Sequence, residues 1–373
     1  MSTRETIEVA TRGSDLALAQ AGIVVDRLAD HRIEATLVEV ETTGDRIDDA
    51  LIQDLGKTGA FVRALDERVL DGEVDVAIHS MKDLPTDQPD DLVVAAVPRR
   101  ASPLDVVVTP DRTALGTLPP GSTVGTSSLR RGAQVLARRP DLEVEPLRGN
   151  VDTRVEKLLA PDLQAEHERR LEAEADERSA KARDQKRPDS ETPTAGDPEY
   201  ERSVQEWFDD LTEIERQSLE REVETEYDAI VLARAGLERS GLADQVPMID
   251  LPRRSHVPSA GQGALAITAR KDSDVADTLR SILDHPHSRV AATAERIVLA
   301  ELGGGCVAPV GIFAHMKGDV VETSVQVLSR DGTEVVEETR GLDVERYAAE
   351  ARQFAADLAD RGAADLIEEA ARE

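Results

Sequence analysis

Aromatic side chains are scarce in this chain of 373 residues, where Phe, Trp and Tyr make up only 2%. Few rings are therefore present on which nucleic-acid bases could stack, and a formal net charge of -30 would repel the phosphates. Long apolar runs are missing as well, since none approaches the ~20 residues that a membrane-spanning helix needs. We expect neither nucleic acid nor a membrane as a partner.

Cysteine occurs only once, as Cys306, so no disulfide can form within the chain. A chain without disulfides fits a reducing compartment, and the N-terminus lacks the basic and apolar segments of a secretory signal. We therefore predict a cytoplasmic protein. A single thiol without a CxxC pattern favours neither redox cycling nor zinc binding, and we predict no metal site.

Lysine is also rare, because arginine supplies most of the 45 basic side chains that stand against 75 acidic ones. An acidic surface that is poor in lysine stays hydrated in concentrated salt, where screening weakens its self-repulsion. This composition predicts a halophilic source.

Strands and helices alternate along most of the chain, which is typical of α/β folds with mainly parallel sheets. The length suggests two or three domains. Apolar periodicity and cap signals predict strands at 7–10, 37–40, 74–78, 93–97, 122–125, 227–233, 310–315 and 320–328, and helices at 15–28, 61–70, 128–138, from 236 onward, 291–302 and 344–370.

Residues 161–226 differ from the rest, because charged residues dominate, apolar periodicity is thin and prolines cluster in the middle. We predict a solvated insertion that consists of a charged helix, a disordered centre and a second helix. Trp207, Phe208, Leu211 and Ile214 would tie this second helix to the body of the protein.

Polar side chains are dense in residues 79–85, His-Ser-Met-Lys-Asp-Leu-Pro, which follow a strand of buried character. The carboxyl end of a strand is where open α/β sheets bind their ligands. A carboxylate beside an ammonium, here Asp83 beside Lys82, can be kept ionised or tuned as an acid. The alternative is a polar turn with a surface ion pair.

Arginines occur at several predicted strand ends. Residues 125–131 run from a strand through glycine and hydroxyls into a helix, so free N–H groups form an anion site beside Arg130 and Arg131. Arg154 and Arg12 lie at comparable positions. In an acidic protein this pattern indicates a polyanionic ligand, although each arginine by itself could serve an ordinary surface ion pair.

Three glycines precede Cys306, which leaves the thiol on a permissive turn rather than in a packed helix. By residue type alone, a lone cysteine is more often a small buried apolar group. The glycine-rich turn instead favours a nucleophile that forms a thioether with an electrophilic carbon.

Seven segments, in this order, resemble the porphobilinogen deaminase family and extend over nearly the whole chain except the insertion: 10–14, 79–85, 125–131, 147–154, 227–242, 261–263 and 304–306. Any one of them is weak evidence, whereas seven in register are highly specific. Together with the acidic composition, the resemblance predicts a family member from a halophilic archaeon.

The resemblance implies two periplasmic-binding-protein-like α/β lobes and a smaller C-terminal α/β domain that carries the cofactor cysteine. Domain 1 would comprise 1–100 and 264–281, domain 2 would comprise 101–263 with the insertion at about 161–226, and domain 3 would comprise 282–373. The implied enzyme is a monomeric hydroxymethylbilane synthase. It would condense four porphobilinogen molecules on a dipyrromethane cofactor, with loss of ammonia at each step, and release hydroxymethylbilane by hydrolysis.

The resemblance also implies roles for individual residues. Asp83 would be the catalytic carboxylate, which binds pyrrole N–H groups and stabilises positive charge, and Cys306 would hold the cofactor through a thioether. The other cofactor-binding residues would be Ser80, Lys82, Thr126, Ser128, Arg130, Arg131 and Arg148. The substrate-binding residues would be Arg12, Ser14, Arg154, Arg239 and Gln262. Phe61 and Lys57 would belong to a lid, with Lys57 one position away from the family's lysine.

The chief alternative is a receptor or regulator module with two lobes, which would bind a carboxylate ligand without chemistry. Such a module would explain the arginines and the fold. It would not explain the glycine-flanked Cys306 or the adjacent Lys82 and Asp83.

Overall fold

The computed structural model describes residues 6–40, 60–185, 200–303 and 308–372, without the side chains of 60, 61 and 183–185. The inner strands of the two lobes, such as 76–80, 105–108 and 229–233, are short runs that are buried over nearly their whole length. In chain order the strands are β1 (Thr6–Arg12), β2 (Glu34–Val40), β3 (Val76–Ser80), β4 (Leu92–Ala96), β5 (Asp105–Val108), β6 (Thr123–Gly125), β7 (Glu143–Glu145), β8 (Ala229–Ala233), β9 (Met248–Asp250), β10 (Leu265–Arg270), β11 (Val310–Lys317), β12 (Val320–Leu328) and β13 (Val335–Asp343).

The helices alternate with these strands over most of the chain. In order they are α1 (Asp15–Asp30), α2 (Ala60–Leu70), α3 (Leu129–Leu136), α4 (Val151–Gln185), α5 (Val204–Asp210), α6 (Glu213–Leu219), α7 (Arg234–Arg239), α8 (Asp274–Leu283), α9 (Pro286–Glu301), α10 (Tyr347–Leu358) and α11 (Ala364–Arg372). None of the described helices is both long enough and apolar enough to cross a bilayer.

The first lobe is built on a five-stranded sheet with the order β2-β1-β3-β10-β4. Strands β1, β2 and β3 run parallel, and β10 runs antiparallel to both of its neighbours. The chain therefore returns to this sheet after it has passed through the second lobe. The prediction of a mainly parallel sheet is confirmed, because β10 is the one strand of this sheet that opposes the others.

The second lobe repeats this strand order as β7-β6-β8-β5-β9. Strand β5 takes the place of β10, since it runs antiparallel to β8 and β9, whereas β6 is parallel to β7 and β8. Two α/β lobes of the same topology, between which the chain crosses twice, are the arrangement of periplasmic-binding-protein-like lobes. The predicted fold class is thus confirmed.

The C-terminal part has an antiparallel sheet, β11-β12-β13, covered by α9, α10 and α11. Strand β13 was not predicted, because its residues show no apolar alternation and only Leu342 among them is buried. Strands β5, β7, β9 and β10 were not predicted either. The prediction of a single closing helix over 344–370 is wrong in detail. The structure has two helices, α10 and α11, separated at 359–363, where Gly362 has a φ of 99°. The predicted domain boundaries stay a prediction.

The insertion begins as a continuation of the second lobe. Helix α4 runs through Pro161, where we predicted the start of a separate charged helix. A proline inside a helix removes one backbone hydrogen bond, but Leu158 and Leu159 are buried in the core of the lobe and Leu163 packs against it. This packing on both sides of the proline holds the helix together.

The far side of the insertion has two short helices, α5 and α6, where we predicted one. Each begins with a capping box, which pairs Ser203 with Glu206 and Thr212 with Glu215. Of the predicted anchors, Trp207, Leu211 and Ile214 are buried, whereas Phe208 is exposed. The break between the helices falls at Leu211, where the backbone is extended.

Candidate active site

A cleft of about 320 Å³ lies between the two lobes. Its lining includes nine residues predicted for the site: Arg12, Ser14, Ser80, Lys82, Asp83, Arg131, Arg154, Arg239 and Gln262. Two larger cavities, of about 530 and 350 Å³, lie at the insertion and contain none of the predicted residues. The structure therefore brings most of the described candidates together in one place.

The first lobe contributes its side of the cleft from the ends of neighbouring strands. Arg12 is the last residue of β1 and Ser80 is the last residue of β3. Because β1 and β3 are adjacent and parallel, their carboxyl ends meet at one edge of the sheet. Ser14 N-caps α1 at the same edge and accepts the N–H of Ala17 at 3.4 Å.

Asp83 lies in a single 3₁₀ turn, Met81–Asp83, that directly follows β3. Met81 and Leu84 are buried on either side of it, whereas Lys82 and Asp83 are exposed. The N–H of Met81 donates to the carbonyl of Ala264 at 3.0 Å. Gly261 packs against the same turn with a φ of +75°, and a Cβ there would lie 2.6 Å from Met81 Cγ. The contacts with Ala264 and Gly261 thus fix the buried side of the turn, and its two charged side chains line the cleft.

On the second lobe, a buried carboxylate organises the arginines of α3. Asp105 Oδ2 accepts from Arg130 Nη1 at 2.6 Å, and Oδ1 accepts from Arg131 Nε at 2.9 Å. Burial by itself would raise the pKa of Asp105, but the two guanidiniums outweigh it and hold that pKa well below its usual value. The sequence reasoning missed Asp105, for which the available signal was an acid at the start of a Val-Val-Val strand.

The two adjacent arginines have different surroundings. Arg130 is buried and also donates to Gln134 Oε1 at 3.0 Å, to the carbonyl of Val257 at 2.9 Å and to Gln262 Oε1 at 3.3 Å. Arg131 is buried too but lines the cleft, and burial lowers its pKa. Arg130 is therefore occupied by protein groups, while Arg131 adds charge to the cleft.

Several cationic groups of the cleft have no carboxylate partner. Among the described residues, no ion pair joins Lys82, Arg154 or Arg239 to an acidic side chain. Burial, followed by the repulsion of Arg131, lowers the pKa of Arg154 to about 10. Burial also lowers the pKa of Arg239. The cleft lining has one acidic side chain, Asp83, against five cationic ones, which makes the cleft electropositive although the protein as a whole is strongly acidic.

The chain passes between the lobes twice, near residues 101 and 263, and these two crossings contact each other beside the cleft. The N–H of Ala101 donates to the carbonyl of Gly263 at 3.1 Å, and Arg239 Nη2 donates to the same carbonyl at 2.7 Å. Gln262 Nε2 bonds the carbonyl of Pro103 at 2.7 Å and Asp105 Oδ1 at 2.9 Å. Gln262 thereby connects the crossing to the carboxylate that holds both arginines.

Other predicted residues lie apart from the cleft lining. Thr126 is buried and accepts the N–H of Ser128 at 3.2 Å, and Ser128 in turn N-caps α3. Thr126, Ser128, Arg130 and Arg148 are the described candidates that the cleft lining does not include. Cys306 and Lys57 lie outside the described residues, and Phe61 is described only as backbone within α2.

The cleft also has an apolar wall that the sequence reasoning did not identify. Leu16 and Ala17 of α1 and Val62 and Leu65 of α2 line it, together with the polar Gln20. Helical spacing was the available signal, since these residues fall on one face of each helix. A flat organic ring could contact this wall while its acidic substituents reach the arginines. Among the described residues, no group of His, Cys, Asp and Glu could hold a metal ion.

Family models match most of the chain. The model described as porphobilinogen deaminase, dipyromethane cofactor binding domain, matches residues 7–166 and 215–278. The model described as porphobilinogen deaminase, C-terminal domain, matches residues 290–361. The gap between 166 and 215 falls within the insertion.

Individual relatives agree with these matches. A probable porphobilinogen deaminase of Halobacterium salinarum is 59% identical and is aligned over 100% of both chains. A second, from Methanococcoides burtonii, is 36% identical over 96% of each chain. Among solved structures, the methionine binding protein MetQ aligns with 75% of this chain and 90% of its own at 11% identity, but its TM-score of 0.35 is too low to carry an argument.

Proposed function

Because the chain belongs to the porphobilinogen deaminase family, we propose that it is a hydroxymethylbilane synthase of the transferase class. It joins four porphobilinogen molecules in turn, expels ammonia at each addition and releases hydroxymethylbilane by hydrolysis. One observation carries this proposal, namely an electropositive cleft around an exposed carboxylate, Asp83, in a protein of net charge -30. The cationic side chains of this cleft are Arg12, Lys82, Arg131, Arg154 and Arg239.

A dipyrromethane cofactor fits this donor set. Each of its two pyrrole rings carries an acetate and a propionate, so the group presents four carboxylates. Lys82, Arg154 and Arg239 form no ion pair with any described acidic residue, and Arg154 lies close enough to Arg131 for repulsion to lower its pKa. Bound carboxylates would compensate these charges and remove the repulsion.

We propose that Cys306 is the attachment point, which rests on the sequence alone because this residue lies outside the described part of the chain. Ser80, Lys82 and Arg131 would bind the cofactor from the cleft wall. The assignment of Thr126, Ser128 and Arg148 to the cofactor stays a prediction from the family resemblance.

Arg130 has a different proposed role. Its guanidinium is engaged by Asp105, Gln134, Val257 and Gln262. We therefore propose that Arg130 is a positioning residue, which fixes Asp105 and through it the direction of Arg131.

The catalytic role belongs to Asp83. When bound, the dipyrromethane would supply the nucleophilic carbon to which the first substrate is joined, and the free α-carbon of the newly added ring would serve the next addition. The Asp83 carboxylate accepts hydrogen bonds from pyrrole N–H groups, stabilises the positive charge that develops on the substrate as ammonia leaves, and assists proton transfer. Fixed charges in a cleft that is partly closed to water act more strongly than the same charges in solution.

Substrate binding is assigned to side chains that carry donors for its acetate and propionate. These residues are Arg12, Ser14, Arg154, Arg239 and Gln262. The apolar wall that includes Val62 and Leu65 would contact the pyrrole ring and exclude water. Phe61 and Lys57 stay proposed lid residues.

The remaining assignments follow from composition and resemblance. We propose a cytoplasmic monomer without nucleic-acid or membrane partners, since the net charge of -30 opposes both kinds of anionic surface. We also propose domain 1 as 1–100 and 264–281, domain 2 as 101–263 and domain 3 as 282–373. Strand β10 supports the division of domain 1, because it lies between β3 and β4.

Intact-protein mass spectrometry tests the proposed function. The purified protein should carry an adduct of two pyrrole units, Ehrlich's reagent should colour it, and Cys306→Ala should show neither. The rival receptor or regulator module has an unmodified thiol instead. A protein that makes hydroxymethylbilane without any adduct would refute the attachment to Cys306.

A further inference from the structure

Helix α9 lies between the C-terminal sheet and the first lobe. Ala291, Ala294 and Val298 belong to the core that this helix shares with β11 and β12. Ala292, on another face, packs into the apolar cluster of Met81 and Leu84, directly beneath the turn that carries Asp83. One helix therefore touches both the proposed catalytic turn and the C-terminal domain.

Glu295 connects α9 to the crossing between the lobes. It is fully buried and pairs with Arg100 at 2.6 Å. Its carboxylate also accepts the N–H of Gly261 at 2.6 Å and the N–H of Ala314 at 2.7 Å. These contacts fix the position of α9 relative to the crossing and to β11.

The next residue, Arg296, points to the catalytic turn. Its Nη1 donates to the carbonyl of Leu84 at 2.7 Å and its Nη2 donates to the carbonyl of Pro85 at 2.5 Å. These two carbonyls belong to the residues that directly follow Asp83. Because the N–H of Met81 bonds the carbonyl of Ala264, the residue that leads into β10 holds the near end of the turn, and Arg296 holds its far end.

The position of Arg296 removes part of the water around its guanidinium, which destabilises the charged form. Burial lowers its pKa, and no described carboxylate forms an ion pair with it. Arg296 is half-buried, and a partly desolvated cation whose donors meet only backbone carbonyls is less stable than one paired with an acid. An apolar side chain of similar length would pack at this position equally well. The two directed hydrogen bonds are what the guanidinium adds.

We infer that Arg296 is a positioning residue for catalysis, which keeps the Asp83 turn in a fixed place relative to α9. This inference rests on the proposed role of Asp83. Helix α9 ends at Glu301, a few residues before Cys306 in the sequence. The helix that contacts the Asp83 turn is thus also the one that precedes the proposed attachment point in the sequence. Since a misplacement of about 1 Å can lower a rate by about 100-fold, a loosened turn should slow the chemistry without weakening substrate binding.

The test compares Arg296→Gln with a matched control on the same helix. Arg289 also donates to backbone carbonyls of the first lobe, those of Val94 at 3.2 Å and Ala95 at 2.8 Å, but these belong to β4 and not to the catalytic turn. Arg289→Gln therefore removes a similar contact between α9 and the first lobe, together with the ion pair of Arg289 with Asp284. Rates are measured per molecule that carries the cofactor, as determined with Ehrlich's reagent.

Arg296→Gln should lower kcat by at least about tenfold and change KM by less than about threefold, because turn placement and not binding is lost. Arg296→Lys, which can still donate to the two carbonyls from a shorter group, should recover part of this loss and remain about threefold below the unmodified protein. Arg289→Gln should keep the kcat of the unmodified protein. Cofactor content should stay unchanged in all three variants.

Equal kcat values for Arg296→Gln and Arg289→Gln would overturn the inference, as would a loss that appears only in KM. If Arg296→Gln does not fold, Arg296→Lys decides, and an unchanged kcat in that folded variant overturns the inference as well. Asp83→Ala separates the two proposals. An inactive Asp83→Ala beside a fully active Arg296→Gln refutes only the role of Arg296, whereas an active Asp83→Ala refutes the proposed catalytic site.

Discussion

Asp105 and Arg131 form a buried ion pair in which Arg131 Nε lies 2.9 Å from Asp105 Oδ1. The same carboxylate accepts from Arg130 at 2.6 Å and from Gln262 at 2.9 Å. One acidic group therefore orients Arg131 of the cleft, Arg130, whose two Nη groups are engaged by protein groups, and Gln262 of the crossing between the lobes. Its removal should affect both the stability of the second lobe and the shape of the cleft.

Asp105→Asn should lower the free energy of unfolding by about 3–5 kcal/mol, because two buried guanidiniums would lose the counter-charge that they share. Urea unfolding followed by circular dichroism measures this loss. The same variant should carry less dipyrromethane, as determined with Ehrlich's reagent. Asp111→Asn is the matched control, since Asp111 is an exposed acid of the same lobe that bonds Thr113 and no arginine among the described residues, and it should leave cofactor content unchanged. Unaltered stability in Asp105→Asn would contradict the structural role given to this carboxylate.

Asp83→Ala should reduce turnover by at least about 10²–10³-fold, which is the usual effect of removing a group that stabilises transition-state charge. The exposed position of Asp83 predicts that folding and the attached cofactor survive the change. Steady-state rates and thermal unfolding midpoints of the same preparation test both statements. Asp87→Ala serves as the control, because Asp87 is exposed just beyond the turn and does not line the cleft. A rate close to that of the unmodified protein would remove Asp83 from the mechanism.

His256 should make the stability of the protein depend on pH. Burial lowers its pKa from 6.5 to about 4, and its Nε2 has no hydrogen-bond partner among the described residues. The unfolded chain takes up this proton near pH 6.5 and the folded chain only near pH 4, so the free energy of unfolding falls as the pH drops through this range. The loss is on the order of 3 kcal/mol.

Urea unfolding of His256→Gln between pH 4 and 7 measures this contribution. The variant should lose less stability on acidification than the unmodified protein, because glutamine does not titrate. His287→Gln, at an exposed position of α9, should follow the unmodified protein. Identical pH profiles for His256→Gln and the unmodified protein would show that the histidine is not the cause.

Potassium chloride should stabilise this protein. The net charge of -30 creates self-repulsion in the folded state, and salt screens it, since the Debye length shrinks from about 10 Å at 0.1 M to about 3 Å at 1 M. We expect the thermal midpoint to rise between these concentrations. Sucrose at matched osmolality is the control for solute effects that do not screen charge. A midpoint that stays constant or falls in molar salt would contradict the halophilic interpretation.

Local signals determined much of the fold. The Ser14 cap, the apolar alternation of β3 and the strand-to-helix passage at 125–131 depend on neighbours in the sequence, and the structure agrees with all three. Strand β13 and the break at Gly362 were missed, because a polar strand at a sheet edge has little apolar alternation and a lone glycine does not by itself end a helix. Helix α4 was predicted to start later, since the packing of Leu158 and Leu159 that holds it around Pro161 comes from a distant core.

The sequence by itself determined which residue types would meet in the cleft, because the polar residues of 10–14 and 79–85 follow predicted strands and the carboxyl ends of parallel strands share one edge of a sheet. Only the tertiary structure decided what each of those residues does. Arg130 and Arg131 are identical in type and adjacent, yet consecutive residues of a helix project about 100° apart, so one is enclosed by protein groups and the other lines the cleft. The partners that make this distinction, Asp105 and Gln262, are far away in sequence. Long-range packing sets such contacts, and no local pattern encodes them.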